Sequence, residues 1–442
     1  MEPKPAQTEV AVVGGGISGL TTACLLARDG AQVTLWEKAP TVGGRAATRA
    51  SGAFLFNRGI HALYTGGAAS LIFEELGVSY GHGTPKETFV LDGRELRPFP
   101  ASPSRFLRTD LLGAADKMAL VRFFAGLART TPTDLAGTSL QAWLDEKIRR
   151  PRLRMLVYSL AYPLVYTSAL DLVSAEVFVD KLQRALKHPV HYVDGGWQVL
   201  VDGLRRVADR AGVRVLNGAR VEAVEVEGGR ARGVRLGDGS EVRASAVVLA
   251  TGPRDASKLV GGGEHPALRR IVDGLVPARV ACLDVALSSL PSPGVPVVQD
   301  LGGPRFMTVQ SLYSRVAPEG SALIYTFKQL DPRTQGDPRE DERDLEGLLD
   351  AAQPGWRDVL VDRQYLPRIE AVGALPTAGS GGFAGRPGPR VPGIAGLYLA
   401  GDWIGPEGFL ADASAASARG AAQSVLEDAP SARGEATAGS VR

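Results

Sequence analysis

The sequence predicts an α/β protein of two interleaved parts: a parallel-sheet domain with a β-meander, assembled from three separated segments, and an α+β domain inserted between them. Three observations predict it. The β-branched run Val10 to Val13 leads through a glycine cluster into helical apolar spacing; strand-like runs separated by glycine turns fill residues 213–249; and a strand stopping at Gly401-Asp402 precedes an alanine-rich helix. With 442 residues, 44% hydrophobic and 22% charged, the chain is long enough for two domains. Fifty basic against 48 acidic side chains leave a formal charge of +2, which excludes the strong bias of a nucleic-acid binder, so no nucleic-acid partner is expected. Cys24 and Cys282 form no CxxC pair, which fits a reducing compartment without a disulfide framework. The opening MEPKPAQTEV lacks the basic and long apolar regions of a signal peptide, and a cytoplasmic protein is expected. Met155 to Leu170 is apolar but too short to span a bilayer and is interrupted by Pro163.

The opening segment reads as strand, glycine turn and helix. After Val10 to Val13 comes Gly14-Gly15-Gly16-Ile17-Ser18-Gly19, and Leu20 to Arg28 continues as the helix. Gly14 permits the tight turn, Gly16 lets the backbone approach a pyrophosphate, and Gly19 lets the helix pack closely on the strand. The helix N-terminus would face the phosphates. Gln32 to Trp36 reads as a second parallel strand, and Glu37 stands at its end, about 20 residues beyond the glycines, where an acid holds ribose hydroxyls. These features together specify a dinucleotide without distinguishing its kind.

The next segments make that distinction. Thr41-Val42-Gly43-Gly44-Arg45 returns two glycines and a charged donor toward the pyrophosphate, and here the chain resembles the flavin amine oxidase superfamily. A meander from Val213 to Arg243 runs into Ala246 to Pro253, similar to that superfamily's ATG element, while Gly396 to Trp403 resembles the C-terminal flavin motif of phytoene desaturase-like and protoporphyrinogen oxidase-like members. The resemblance implies a discontinuous Rossmann-like FAD-binding domain, residues 1–53, 194–255 and 393–428, with a substrate domain of residues 54–193 and 256–392. It implies FAD contacts from Gly14, Gly16, Ile17, Ser18, Gly19, Glu37, Lys38, Gly44, Arg45, Gly59, Ile60, His61, Val221, Thr251, Gly252, Gly401, Asp402, Gly408, Phe409 and Leu410. In this arrangement Asp402 accepts from ribityl hydroxyls or backbone donors, and Gly408 to Leu410 lie under the flavin pyrimidine. Residues 429–442 are expected to form a disordered tail.

The first insertion reads as mainly helical after a hairpin at Phe89 to Phe99. The second carries strand-like runs at Val280 to Leu287, Phe306 to Leu312 and Ala322 to Phe327. Tyr158, Tyr162 and Tyr166 recur at helical spacing, either as core or as the wall of a lipophilic tunnel. His61 is the candidate proton-transfer residue, because the matching stretch of the superfamily passes beside the isoalloxazine. Amine oxidases of the superfamily present a lysine on a strand after the ATG element. Ala278 to Ala281 has none, and Lys328 is the remaining candidate. Trp403 reads either as an aromatic wall of the site or as packing. His188-Pro189-Val190-His191 lacks further ligands at metal spacing, so no metal is expected.

The reading is therefore an FAD-dependent dehydrogenase or desaturase removing a hydride from a lipophilic or secondary-metabolite substrate, with oxygen, a quinone or another carrier as acceptor. Oxidation of an amine or amino acid is the alternative enzyme, and an escort or binding protein of the same fold is the non-catalytic one. An apolar small molecule is the expected partner. Contact with a membrane surface and the oligomeric state stay open.

Overall fold

The computed structural model describes residues 6–7 and 9–429. Of the expected tail, everything beyond Ala429 lies outside the described residues.

Five parallel strands form the central sheet in the order Arg214–Asn217, Val33–Glu37, Val10–Val13, Ala246–Leu249, Leu397–Leu399. Successive side chains of a strand point to opposite faces. Val10 and Val12 accordingly pack with the helices Ile17–Arg28, Gln198–Arg210 and Ala411–Asp428, whereas Ala11 and Val13 pack toward the meander. Burial on both faces is why these strands read as continuous apolar runs. The meander consists of Val221–Glu227, Arg230–Leu236 and Glu241–Arg243, with Ala6–Gln7 added in parallel at its edge. The run beginning at Val213 was expected to open the meander. It instead supplies the edge strand Arg214–Asn217 of the parallel sheet, because the helix before it returns the chain to the side of Val33–Glu37.

A second sheet has seven strands. Its order is Leu360–Val372, Ala278–Leu287, Ala322–Gln329, Arg305–Val309, Val297–Asp300, Phe89–Asp92, Glu95–Pro98, so the hairpin of the first insertion extends the strands of the second. Helices between Ala114 and Lys187 cover one face and Pro338–Ala352 covers the other.

Hydrophobic packing runs across two of the expected domain boundaries. Leu63, Ala69, Ile72, Phe73 and Val78 join the core of the parallel sheet, although they fall within 54–193. Ala256, Leu259, Val260 and Leu268 join the core between that sheet and the meander, although they fall within 256–392. Among the described residues no helix is long and apolar enough to cross a membrane.

Candidate functional site

A cavity of about 1110 Å³ opens where Val13, Glu37, Ala250 and Gly401 end or follow the parallel strands, and its opposite wall comes from the second sheet. Ligands of open α/β sheets bind at these carboxyl ends, where loops diverge and helix N-termini converge.

The glycine turn builds one end. Gly14 bends with φ +109°, and the helix after Gly16 starts without a side-chain cap, leaving its first N–H groups for a ligand. A Cβ on Gly16 would lie 4.0 Å from the Gly43 carbonyl, and one on Gly44 would lie 3.7 Å from the Gly16 Cα, so two bare backbone segments, joined by the Gly43 amide donating to the Gly15 carbonyl at 2.8 Å, lie side by side at the cavity wall. This uncapped, side-chain-free cradle fits a pyrophosphate. Gly14, Gly16, Ile17, Ser18 and Gly44 line it; Gly19 does not, since a Cβ there would overlap the Gly14 carbonyl. Gly19 serves helix-to-strand packing.

Glu37 lines the cavity and also anchors the turn. Its Oε2 accepts from the Gly15 amide at 2.7 Å and its Oε1 from the Ala39 amide at 2.8 Å. Lys38, Val221, Thr251 and Gly252 continue this end, with Lys38 paired to Asp255 at 3.0 Å on the surface.

Asp402 lines the cavity and accepts from a backbone donor as expected, and it also holds a charged partner. The carboxylate is 2% exposed and faces Arg45 in a two-point pair, with Nη1 to Oδ2 at 2.9 Å and Nη2 to Oδ1 at 2.6 Å; the Gly373 amide donates to it at 2.9 Å. Burial alone would raise its pKa, but the Arg45 charge and these hydrogen bonds outweigh burial and hold the carboxyl below its ordinary value. Asp402 thus fixes Arg45 beside the glycine cradle, and the Arg45 guanidinium reaches on to the Ala371 carbonyl at 3.1 Å. Buried Arg386, a residue the sequence reading missed, donates to the carbonyls of Asp402, Glu407 and Gly408, clamping the loop that follows. Its lone position in a glycine-rich loop carries no sequence signal.

The other end is more apolar. Ile60, His61, Phe409 and Leu410 line it as expected, while Gly59 and Gly408 lie behind the surface, packed against Ile369 and Asp412 respectively. Gly401 also lines the cavity. His61 Nδ1 lies 2.9 Å from the Gly59 carbonyl and its ring centroid 4.8 Å from that of Trp197. Burial pushes the imidazole below its ordinary pKa, against the opposing effect of the Gly59 and Arg45 carbonyls.

Two expected candidates do not reach the site. Lys328 is bound to Asp341 at 2.8 Å and to Asp344 at 2.5 Å. Strand alternation explains this: its neighbour Phe327 packs on the helical face with Cys282, which sends Lys328 toward Pro338–Ala352. Trp403 is fully buried, donates to the Thr251 carbonyl at 3.0 Å and packs below the meander, so it forms no wall of the cavity.

Of the tyrosine stripe, only Tyr166 lines the cavity; Tyr158 donates to Asp145 and Tyr162 packs on the helical core. Tyr166 and Leu410 are the only non-glycine residues with positive φ among those described, at 58° and 57°, and both line the cavity. Backbone strain of this kind gathers at functional sites, where surrounding structure maintains it. Tyr64, Trp197, Cys282 and Asp412 also line the site and went unassigned in the sequence, because they come from four separate elements with no motif in common.

Comparison with known proteins agrees with this geometry. The model of the family described as flavin containing amine oxidoreductase matches residues 17–426. A 4,4'-diapolycopen-4-al dehydrogenase of Metabacillus indicus is 26% identical over 298 residues, covering 59% of this chain and 59% of that relative. A hydroxyneurosporene desaturase of Cereibacter sphaeroides is 30% identical over 297 residues, covering 56% of this chain and 59% of the relative. Both matches thus span less than two thirds of the relatives' length. An oxidoreductase of Methanosarcina mazei shares the fold with a TM-score of 0.77 at 21% identity, covering 95% of this chain and 100% of that one. With the glycine cradle, the ribose-end acid and the clamped C-terminal loop converging on one cavity, and the family match running across nearly the whole chain, the protein belongs to the flavin containing amine oxidoreductase family and has FAD as its cofactor.

Proposed function

We propose that this chain is an FAD-dependent dehydrogenase or desaturase that removes a hydride from a lipophilic, secondary-metabolite-type substrate and passes the electrons to oxygen, a quinone or another carrier. The observation that carries the reading is the wall facing the candidate flavin end. Ile60, Leu63, Val280, Ile369 and Phe409 line it, and the lysine candidate Lys328 is held on the opposite face of its sheet. The desaturase and dehydrogenase names of the relatives support the same class. A cytoplasmic location belongs to this reading.

Bound FAD supplies the two-electron acceptor, so the protein's task is chiefly to bind, orient and exclude water. The turn from Gly14 to Ser18 with Gly44 would hold the pyrophosphate, Glu37 the ribose and Val221 the adenine; Ile60, His61, Phe409 and Leu410 would border the ring. His61, at the cavity wall with Nδ1 beside the Gly59 carbonyl, is the side chain placed to exchange a proton there. His61→Ala is therefore expected to lower turnover at least about tenfold while FAD stays bound, below the ~10²–10⁴ seen where proton transfer limits the rate. Steady-state rates and the flavin absorbance of the same preparation check this, and unchanged turnover removes His61 from the mechanism.

The reading as a whole is tested by anaerobic bleaching of the flavin band. A carotenoid-type polyene is expected to bleach it and a primary amine to leave it oxidised. The reverse pattern would establish the amine-oxidase alternative, and purified protein that takes up no FAD would leave the escort alternative.

A further inference from the structure

Lys181 is a buried basic side chain that the chemistry above leaves unused. It lies on the helix Ala175–Lys187, is 1% exposed, and its ammonium has no hydrogen-bond partner. The nearest carboxylate oxygen, Asp412 Oδ2, is 3.9 Å away, beyond hydrogen-bond reach, and Asp412 Oδ1 already accepts from the Ala69 amide at 3.0 Å. On another side the ammonium stands 3.7 Å from the centroid of the Tyr64 ring. Tyr64 and Asp412 both line the cavity, beside Tyr166 and the apolar Leu63 and Phe409. An ammonium carries three donors, and burying them without acceptors is unfavourable unless something else supplies one.

Resting on the reading of a lipophilic substrate, we propose that Lys181 and the Tyr64 phenol form a recognition site for an oxygen atom, hydroxyl or carbonyl, carried by an otherwise apolar substrate chain. The flexible four-carbon stem lets the ammonium emerge between Tyr64 and Asp412 when such an acceptor enters. Asp412 keeps the cation in place without saturating it, and the Tyr64 ring shields it from water meanwhile. A site built to hydrogen-bond a substrate oxygen discriminates against the analogue lacking it, since the polar groups are then left unpaired. The preferred substrate is accordingly an oxygenated chain rather than a pure hydrocarbon.

The experiment uses the FAD-loaded protein and two matched probes, all-trans-farnesol and farnesene, titrated against the visible flavin spectrum. Farnesol is expected to bind roughly 10–100-fold more tightly, the value of one hydrogen bond to a charged group. Lys181→Met should abolish that preference by weakening farnesol alone, with FAD content and melting temperature equal to or above those of the native protein. Because this substitution can also disturb the fold, Tyr64→Phe is measured beside it; the ring stays, the phenol goes, and the preference should fall several-fold. Equal binding of the two probes by the native protein, or a preference that survives in either variant, overturns the proposal while leaving the lipophilic reading intact. A changed flavin spectrum in Lys181→Met with the preference retained assigns the ammonium to the cofactor instead and also overturns it. Binding of neither probe, with bleaching by amines, overturns both readings.

Discussion

Asp402→Ala is expected to yield protein that has lost most of its FAD and melts well below the native chain. The substitution deletes a carboxylate that is 2% exposed and leaves both the Arg45 guanidinium and the Gly373 amide without their partner. Breaking a buried pair by removing one member destabilises by about 3–5 kcal/mol; about 3 is the better expectation here, since half of the Arg45 side-chain surface is exposed and partly screened. The loss of flavin follows from geometry. Arg45 is held at the cradle chiefly by Asp402, and once released it keeps only the Glu370 and Ala371 carbonyls, which engage one of its two terminal nitrogens. Equilibrium unfolding and the flavin-to-protein absorbance ratio check both parts. Arg45→Met combined with Asp402→Leu should recover part of the stability but none of the FAD, because no charged group is then stranded.

The same pair gives a pH dependence with a definite sign. The Asp402 pKa is depressed in the folded protein, so the unfolded chain binds the proton more readily as pH falls. The stabilisation is complete above the ordinary aspartate range and is lost as pH falls from there through the depressed folded value. Asp402→Ala should therefore flatten the acid limb of the stability profile and leave neutral pH as the place where it differs most from native.

Two neighbouring glycines separate fold from binding in the second prediction. Gly19→Ala places a methyl group on the Gly14 carbonyl, with the short Ala250 methyl group beside it, so no flexible side chain is there to yield. Such overpacking costs about 1–3 kcal/mol and displaces the helix from the strand, so melting temperature and FAD content should fall together. Gly16→Ala meets nothing nearer than the Gly43 carbonyl at 4.0 Å, so the chain should fold with little change in melting temperature. Its methyl group projects into the space of the pyrophosphate, and the FAD dissociation constant should rise on the order of tenfold or more. Equal FAD affinity in Gly16→Ala and native protein would show that the cradle is not the phosphate site.

The local parts of the site were readable in advance because each rests on short-range chemistry. A strand, three spaced glycines, a helix and an acid at the next strand end define a nucleotide turn from consecutive residues, and Gly401-Asp402 marks another strand end in the same way. Lys328 could not be placed from composition, since its role depends on the face of the sheet to which the strand Ala322–Gln329 turns it. Strand register decides that, and a shift of one residue would have reversed it.

By itself the sequence determined a dinucleotide turn and the parallel sheet, which follow from local periodicity and turn chemistry, while its resemblance to a known family supplied FAD and the interleaved order of the chain. Tertiary structure decided what stands around the cofactor. Arg386 clamps a loop through three carbonyls, Tyr166 and Leu410 hold positive φ at the cavity wall, and Lys181 approaches Asp412 across more than two hundred residues of chain. None of these arises from neighbours in sequence: each exists only because packing of the two sheets and their helices brings distant side chains into one low-dielectric space, where position rather than residue type sets their chemistry.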